Sequence, residues 1–333
     1  MSRDRTTSTP LVSVCVPAYR AERFLAETIA SVLAQTFADW ELIVLDNASP
    51  DRTGQIARSF DDPRIRVERN ETTLSLPDNW NRATAMARGR YLKVLCADDL
   101  ITPTCLAREV EILERRPEVA IVSSRRDFIT AEGEPVLRER GLDGLLGYQP
   151  AANVVPRVVA SGINPIGWPS SVLIRRADYV AVGGFDDRWL HPIDLHLWLR
   201  LLSFGGLYGI DESLASFRIS AGSVTAGLSD TGAQHRSAIR TFVDESNWDV
   251  PRSALVRAGL RSRLEELRLR LLFGAANSGS ARVRRLPSLV LDRSRTPAPT
   301  ETTRDDDAAV GQTATVTSFG SERARATMDR RVG

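Results

Sequence analysis

No stretch constrains the fold of this chain more than Tyr91-Leu-Lys-Val-Leu-Cys-Ala-Asp-Asp99. Tyr91 to Leu95 is apolar and partly β-branched, the character of a short strand buried on both faces. It runs into two adjacent acids, Asp98 and Asp99, and Leu100-Ile-Thr-Pro103 then turns towards a helix. In an open parallel sheet, ligands bind just past the carboxyl ends of the strands. Two acids at that place call for a metal ion or a basic side chain against them. The plainer reading is an exposed turn whose Asp caps the next helix. This stretch alone leaves both readings standing.

The preceding residues repeat the pattern. Leu11 to Val16 reads as a strand ended by Pro17-Ala-Tyr19, and Ala21 to Gln35 carries Phe24, Leu25, Ile29, Val32 and Leu33 at helical spacing. Trp40 to Leu45 is a second strand that also ends in an acid, Asp46. Turn-forming residues follow, with Asp51 or Thr53 at a helix start. A helix over 54–60, a strand over 64–68, a loop over 70–77 and a helix over 79–88 lead to the Tyr91 strand. Such alternation predicts a parallel, doubly wound α/β sheet with right-handed crossovers. It brings Pro17, Tyr19, Asp46, Asp98 and Asp99 to one edge. The glycine signatures GxGxxG and GxxxxGK are absent, so a nucleotide held there leans on carboxylates and a metal.

Further on, Cys105 to Arg115 reads as a helix and Val119 to Ser124 as a strand, whereas 125–156 is loop-rich and weakly patterned. Gly162 to Pro169 breaks structure repeatedly, and Ser171 to Arg175 returns to a strand. A turn at Gly183 to Trp189 leads through His191-Pro-Ile-Asp194 into a helix ending near Phe204, so Asp194 opens a helix, where N-capping is its simplest role. Gly209 to Arg218 is a last strand-like piece. Helices over 234–247 and 253–273 follow, the second dense in leucine and arginine. Such a helix fits a membrane surface or a partner, or it packs on its own domain. From Arg293 to Gly333 large apolar residues almost vanish, the composition of a disordered tail.

Composition narrows the partners. The 333 residues carry a formal charge of +2 from 44 basic and 42 acidic side chains, which offers no bias towards nucleic acid. Lys93 is the only lysine. Cys15, Cys96 and Cys105 form no CxxC pair, the first residues lack the apolar core of a signal peptide, and no apolar run is long enough to span a bilayer. A cytoplasmic setting is expected.

Val14-Cys-Val-Pro-Ala-Tyr19, Ser31-Val-Leu-Ala-Gln35, Glu41-Leu-Ile-Val-Leu-Asp-Asn-Ala-Ser-Pro-Asp51 and Cys96-Ala-Asp-Asp99, in this order and spacing, resemble the inverting glycosyltransferases of family 2, which have the GT-A fold. Gly183-Gly-Phe-Asp186, Asp194 to Arg200 and Phe217-Arg218 look like that family's acceptor-side half. The resemblance implies a Rossmann-like, mostly parallel sheet flanked by helices over 11–225. Its nucleotide-binding half is 11–124 and its acceptor-side half 125–225. A flexible N-terminus (1–10) precedes it; a helical appendage (226–275) and a mostly disordered tail (276–333) follow.

The resemblance also implies roles. Pro17 and Tyr19 fall where the nucleotide is cradled, Asp46 where an acid bonds the base, usually a pyrimidine, and Asn81 on the helix closing the nucleotide pocket. Cys96, Ala97 and Asp98 occupy the Asp-x-Asp signature. Asp98 is the acid that holds the divalent ion, Mg²⁺ or Mn²⁺, and Asp99 stands by as a second anionic group. Asp194 is the expected general base, with Trp168 and His191 towards the acceptor. Two positions depart from the family pattern: Cys96 replaces the first acid of the signature, and Ser220 stands where many relatives have a metal-binding histidine. The implied activity is transfer from a UDP- or dTDP-sugar to a hydroxyl of a glycan, a lipid-linked acceptor or a small molecule, in polysaccharide or glycolipid biosynthesis. Two alternatives remain. A sugar-nucleotide pyrophosphorylase would want a lysine near the first strand and a glycine-rich loop. A catalytically impaired relative could bind nucleotide or glycan as an assembly factor. For Asp194 as base there is one physical requirement: a helix N-terminus favours the ionised carboxylate, so apolar cover or a neighbouring acid has to offset it.

Overall fold

Strands buried on both faces form the centre of the molecule. The computed structural model describes residues 9–190, 192–220 and 231–277, so His191 and nearly all of the expected tail lie outside the described residues. In chain order the elements are β1 (Val12–Ala18), α1 (Leu25–Leu33), β2 (Trp40–Asp46), α2 (Thr53–Arg58), β3 (Ile65–Arg69), α3 (Leu76–Ala85), β4 (Tyr91–Val94) and β5 (Leu100–Ile101). Then come α4 (Cys105–Arg115), β6 (Val119–Ile129), β7 (Pro135–Arg140), β8 (Gly147–Gln149), α5 (Ala151–Ser161), β9 (Val172–Arg175), α6 (Arg176–Ala181), α7 (Ile193–Leu201) and β10 (Gly206–Arg218). Two helices, α8 (Thr231–Glu245) and α9 (Arg252–Asn277), close the described chain.

The sheet order is β3-β2-β1-β4-β9-β6-β10-β5, with β7 on β6 and β8 on β10. β1 runs parallel to β2 and β4, and β2 to β3. β9 is inserted antiparallel between β4 and β6, and β10 runs parallel to β6. The mostly parallel α/β sheet expected from the alternation is therefore present. β1, β2 and β4 are buried residue by residue, which only a sheet with helices on both faces permits. Cys15 packs into one apolar layer while its neighbours Val14 and Val16 pack into the other.

The lone lysine lies inside this sandwich. Lys93 Nζ donates to both oxygens of Glu109 on α4 at 2.8 and 2.9 Å, and neither side chain is exposed. Removing one partner of such a pair leaves an uncompensated buried charge and costs about 3–5 kcal/mol. Lys93 is thereby a structural residue, and the lysine that a pyrophosphorylase would use is not at the ligand edge.

The stretch 125–156 differs from its loop-rich expectation. β6 continues to Ile129, and β7, β8 and α5 fill the rest. The strand pattern is masked because Arg126, with Phe128, takes an inward-facing position while Arg125 and Asp127 face outward. In α5, Val154, Val155, Val158 and Val159 with an internal Pro156 make poor helix formers, and burial of all four valines decides the matter.

α9 packs on its own domain. Ala254, Ala258 and Ser262 are buried at helical spacing, and Gly162 at the end of α5 comes so close that a Cβ there would meet the Ala258 carbonyl at 2.3 Å. On its other side Val256, Leu260, Leu264 and Leu267 are exposed.

Candidate active site

Three adjacent parallel strands deliver their carboxyl ends to one edge. Ala18 of β1 is in register with Asp46 of β2, and β4 on the other side of β1 leads directly into Asp98 and Asp99. Pro17 and Ala18 are buried, while Tyr19 is 44% exposed just beyond them, with the Arg20 guanidinium 5.3 Å from its ring centre. Asp46 is fully buried: it accepts the Ser49 N–H at 2.9 Å and pairs with Arg69. Next to it Asn47 ties β2 to the following loop, its amide donating to the Leu74 carbonyl and its oxygen accepting from Asn70 at 2.6 Å.

The two acids after β4 have different surroundings. Asp99 is 1% exposed and turned inward, accepting the Ser170 hydroxyl at 2.5 Å and the Arg218 N–H at 3.1 Å. Burial and the adjacent Asp98 push its carboxyl well above the usual range. Asp98 is half-buried, and among the described residues its carboxylate takes no hydrogen bond from another residue. Burial raises it too, with the Arg218 charge opposing. The turn itself is pinned. The Thr28 hydroxyl lies 3.0 and 2.9 Å from the carbonyls of Ala97 and Asp99, and Arg218 Nε donates to the Asp98 carbonyl at 2.9 Å. Cys96 donates its N–H to Ser170 Oγ, so Ser170 bridges the Cys96 backbone and Asp99.

This donor set suits a divalent ion brought largely by its ligand. Among the described residues no group of three or more His, Cys, Asp or Glu could cage a metal. Asp99 is already committed to Ser170 and Arg218, which leaves Asp98 as the free carboxylate. Mg²⁺ binds well through one or two carboxylates together with phosphate oxygens and water.

Asp194 sits in the first turn of α7, whose N-cap position is Pro192, so it lies inside the helix and not at the cap position. One oxygen accepts the Leu195 N–H at 2.7 Å and the other accepts the Asn164 amide at 2.9 Å. It is buried, and burial is the largest influence on it. The opposing pull of these bonds and of the Arg126 charge is smaller, so its carboxyl is raised to about 7. Burial thus outweighs the hydrogen bonds and the positive charge that favour the ionised carboxylate. No sequence signal marks Asn164; the Gly-Ile-Asn-Pro-Ile-Gly run reads only as broken structure. Its amide also bonds the Gly167 carbonyl at 2.8 Å and accepts the Gly167 N–H. Trp198 Nε1 donates to the same carbonyl at 2.8 Å. Gly167, at φ 141°, has no room for a side chain: a Cβ would meet Ser171 Oγ at 2.5 Å.

Trp168 follows. Its ring lies 4.1 Å from Phe217 and 5.3 Å from Phe128, and the Arg126 guanidinium covers it at 4.5 Å. The charges of Asp98, Asp99 and Asp194 all bear on Cys96, which draws the strand-end acids and the α7 acid around one point. Asn81, by contrast, has its amide engaged elsewhere: it donates to the Phe185 carbonyl at 2.8 Å and accepts from the Phe185 N–H and the Tyr179 hydroxyl. It clamps α3 to the glycine turn, so any effect on a nucleotide passes through α3. The concavity lined by Thr9, Leu11, Asp39, Arg88, Arg90 and Arg176 lies at the opposite, amino ends of the strands. Its arginines bond Glu41, Glu114 and the Gly89 carbonyl.

A mostly parallel sheet with acids at adjacent strand ends and a buried carboxylate across a mixed-sheet junction has the GT-A architecture of sugar-transferring enzymes. The chain belongs to glycosyl transferase family 2, whose profile matches residues 13–179, and it is a glycosyltransferase. It is 32% identical over 220 residues to the provisionally named glycosyltransferase EpsE of Bacillus subtilis, covering 63% of this chain and 74% of EpsE. The Escherichia coli UDP-Glc:alpha-D-GlcNAc-diphosphoundecaprenol beta-1,3-glucosyltransferase WfgD is 26% identical over 218 residues, covering 65% of this chain and 80% of WfgD. Among solved structures, S. aureus TarS in complex with UDP-GlcNAc superposes with a TM-score of 0.59 over 84% of this chain and 82% of TarS. At 16% identity this is a likeness of fold.

Proposed function

We propose that the protein transfers a sugar from a nucleotide diphosphate, UDP- or dTDP-linked, to an acceptor hydroxyl with inversion, in polysaccharide or glycolipid assembly. The observation that carries this reading is Asp194, a carboxyl raised to about 7 by burial and held by Asn164 and the Leu195 N–H. A base is most useful when its pKa lies near the working pH, where such proton transfer contributes about 10²–10⁴-fold. Asp194 takes the proton of the attacking hydroxyl. Tyr19 and the carboxyl end of β2 receive the base of the nucleotide, Asp46 fixing that edge through Ser49 and Arg69, and Asp98 supplies the free carboxylate for a divalent ion on the diphosphate. That ion, when bound, stabilises charge on the leaving diphosphate. With one base and no second carboxylate placed as nucleophile, displacement occurs once and the anomeric centre inverts. Cys96 puts no carboxylate at its place in the signature: its N–H donates to Ser170 Oγ and its thiol is held protonated by burial, so the scheme draws on Asp98 alone there.

WfgD, named for UDP-Glc, and TarS, crystallised with UDP-GlcNAc, support a uridine donor, while the mannosyltransferase PcManGT, solved with GDP-Man, makes a guanosine donor the alternative to screen. The exposed Val256, Leu260, Leu264 and Leu267 stripe on α9, flanked by exposed Arg257 and Arg261 on one side and Arg263 on the other, fits the surface of an anionic bilayer that would present a lipid-linked acceptor. No described helix is long and apolar enough to cross a membrane.

The test is release of free nucleotide from UDP-glucose, UDP-GlcNAc, dTDP-glucose and GDP-mannose, with Mg²⁺, Mn²⁺ or chelator. Metal-stimulated turnover of a UDP- or dTDP-sugar, lost in Asp194→Asn, is expected. Nucleotide binding with no turnover of any donor would favour the impaired-relative reading instead.

A further inference from the structure

Adjacent arginines on β6 have opposite circumstances. Arg125, directed outward, has partners at two of its nitrogens: Nε bonds Asp211 at 2.5 Å, and Nη1 bonds the carbonyls of Glu139 and Gly141 at 3.0 and 3.1 Å. Arg126, directed inward, is 7% exposed, and its Nε and Nη1 have no hydrogen-bond partner. Its guanidinium lies over the Trp168 ring, with Gly141 and Gly167 beside it: a Cβ on Gly141 would meet Nη1 at 2.4 Å, and one on Gly167 at 3.3 Å. Gly167 is bonded to Asn164, which holds Asp194, so the arginine stands next to the proposed base.

A buried cation with donors to spare is costly, by several kcal/mol unless something pairs it. Even with burial lowering its pKa to about 10, Arg126 remains charged at neutral pH. The charges of Asp194, Asp143 and Asp99 act on it, yet none makes a hydrogen bond to those two nitrogens. Stacking on Trp168 satisfies the face of the guanidinium; Nε and Nη1 on its edge are unpaired and closed to solvent, Nη1 against Gly141 and Gly167, so a ligand that pairs them has to open that packing. Holding Asp194 ionised would need only the charge and would not explain two empty donors. An oxyanion meets both needs.

We propose that Arg126 is a recognition residue for an anionic group on the acceptor, a phosphate or a carboxylate, bound beside Asp194 with Trp168, Phe217 and Phe128 as the apolar wall. The proposal rests on the transferase reading above, because Asp194 marks the acceptor side. It narrows the acceptor to a negatively charged one, such as a sugar phosphate, a lipid-diphosphate sugar or a uronic acid.

Calorimetric titration of the full chain, saturated with UDP and Mg²⁺, with glucose 1-phosphate, methyl glucuronide and uncharged methyl glucoside tests it. At least one anionic probe should bind about tenfold or more tightly than the neutral one, and which anion wins distinguishes phosphate from carboxylate. Arg126→Gln should erase that preference with UDP affinity unchanged, and Arg126→Lys should retain part of it. Equal or absent binding of the anions by the wild-type chain overturns the proposal. So does a preference that survives in Arg126→Gln, and an altered pH profile alongside it would make Arg126 a positioning residue for Asp194 alone. The preference is read whether or not UDP binds, so failure of the transferase reading and failure of the Arg126 assignment are separate results.

Discussion

The two halves of the site are built on different principles. On the proposed donor side, Tyr19, Asp46 and Asp98 lie at the ends of parallel strands, each fixed by a strand–helix repeat. On the proposed acceptor side, Arg126, Asn164, Trp168 and Asp194 come from an inward strand position, a broken loop and a first helical turn, held together by hydrogen bonds and stacking. The donor side is a product of topology. The acceptor side is a product of side-chain chemistry, so substitutions should affect the two halves separately.

The largest expected effect is at Asp194. Asp194→Asn should lower transfer by about 10²–10⁴-fold while leaving UDP affinity unchanged, measured by turnover and calorimetry on the same preparation. Asp98→Asn should act in the opposite way, removing the metal-dependent part of UDP affinity. Its neighbour provides the contrast within one turn. Asp99→Ala strands the Ser170 hydroxyl and the Arg218 N–H, and should lower stability by about 1–3 kcal/mol in chemical denaturation.

Much of the donor side is legible in the sequence because periodicity carries it. An apolar run ending in an acid states both the strand and the place where the acid emerges, as Leu45-Asp46 and Leu95 to Asp98 do. The acceptor side breaks that code. Arg126 occupies an inward position normally given to an apolar residue, which is why β6 reads as ending at Ser124 when it continues to Ile129. Asn164 lies in a stretch whose glycines and prolines announce only irregularity; that its amide would join Gly167 to Asp194 depends on contacts distant in sequence. Asp194 is marked in the sequence by the family resemblance, but its raised pKa comes from burial in the folded chain, which no local pattern reports. Asn81 shows the converse: a polar residue on the expected helix whose amide serves the Phe185 turn.

Smaller effects sharpen the acceptor side further. The rate should rise with pH through an apparent pKa of about 7 as Asp194 loses its proton. Asn164→Ala removes a bond that favours the ionised form, so the rising limb should move to higher pH and kcat/KM fall about tenfold. Stability should bear the same signature with its sign reversed from the usual carboxylate. The folded chain holds the Asp194 proton between about 4 and 7, where the unfolded chain has released it, so stability is lost as pH rises through that window. Asp194→Asn should flatten that slope in denaturation curves taken at several pH values.

The separation of the halves is tested most directly by titrating UDP, with Mn²⁺ and with chelator, into the wild-type chain, Asp98→Asn and Asp194→Asn. Metal-dependent binding present in the wild type and Asp194→Asn, and absent in Asp98→Asn, is the predicted result. Binding that ignores the metal, or that is lost equally in both variants, would contradict the assignment of Asp98 to the donor and Asp194 to the acceptor.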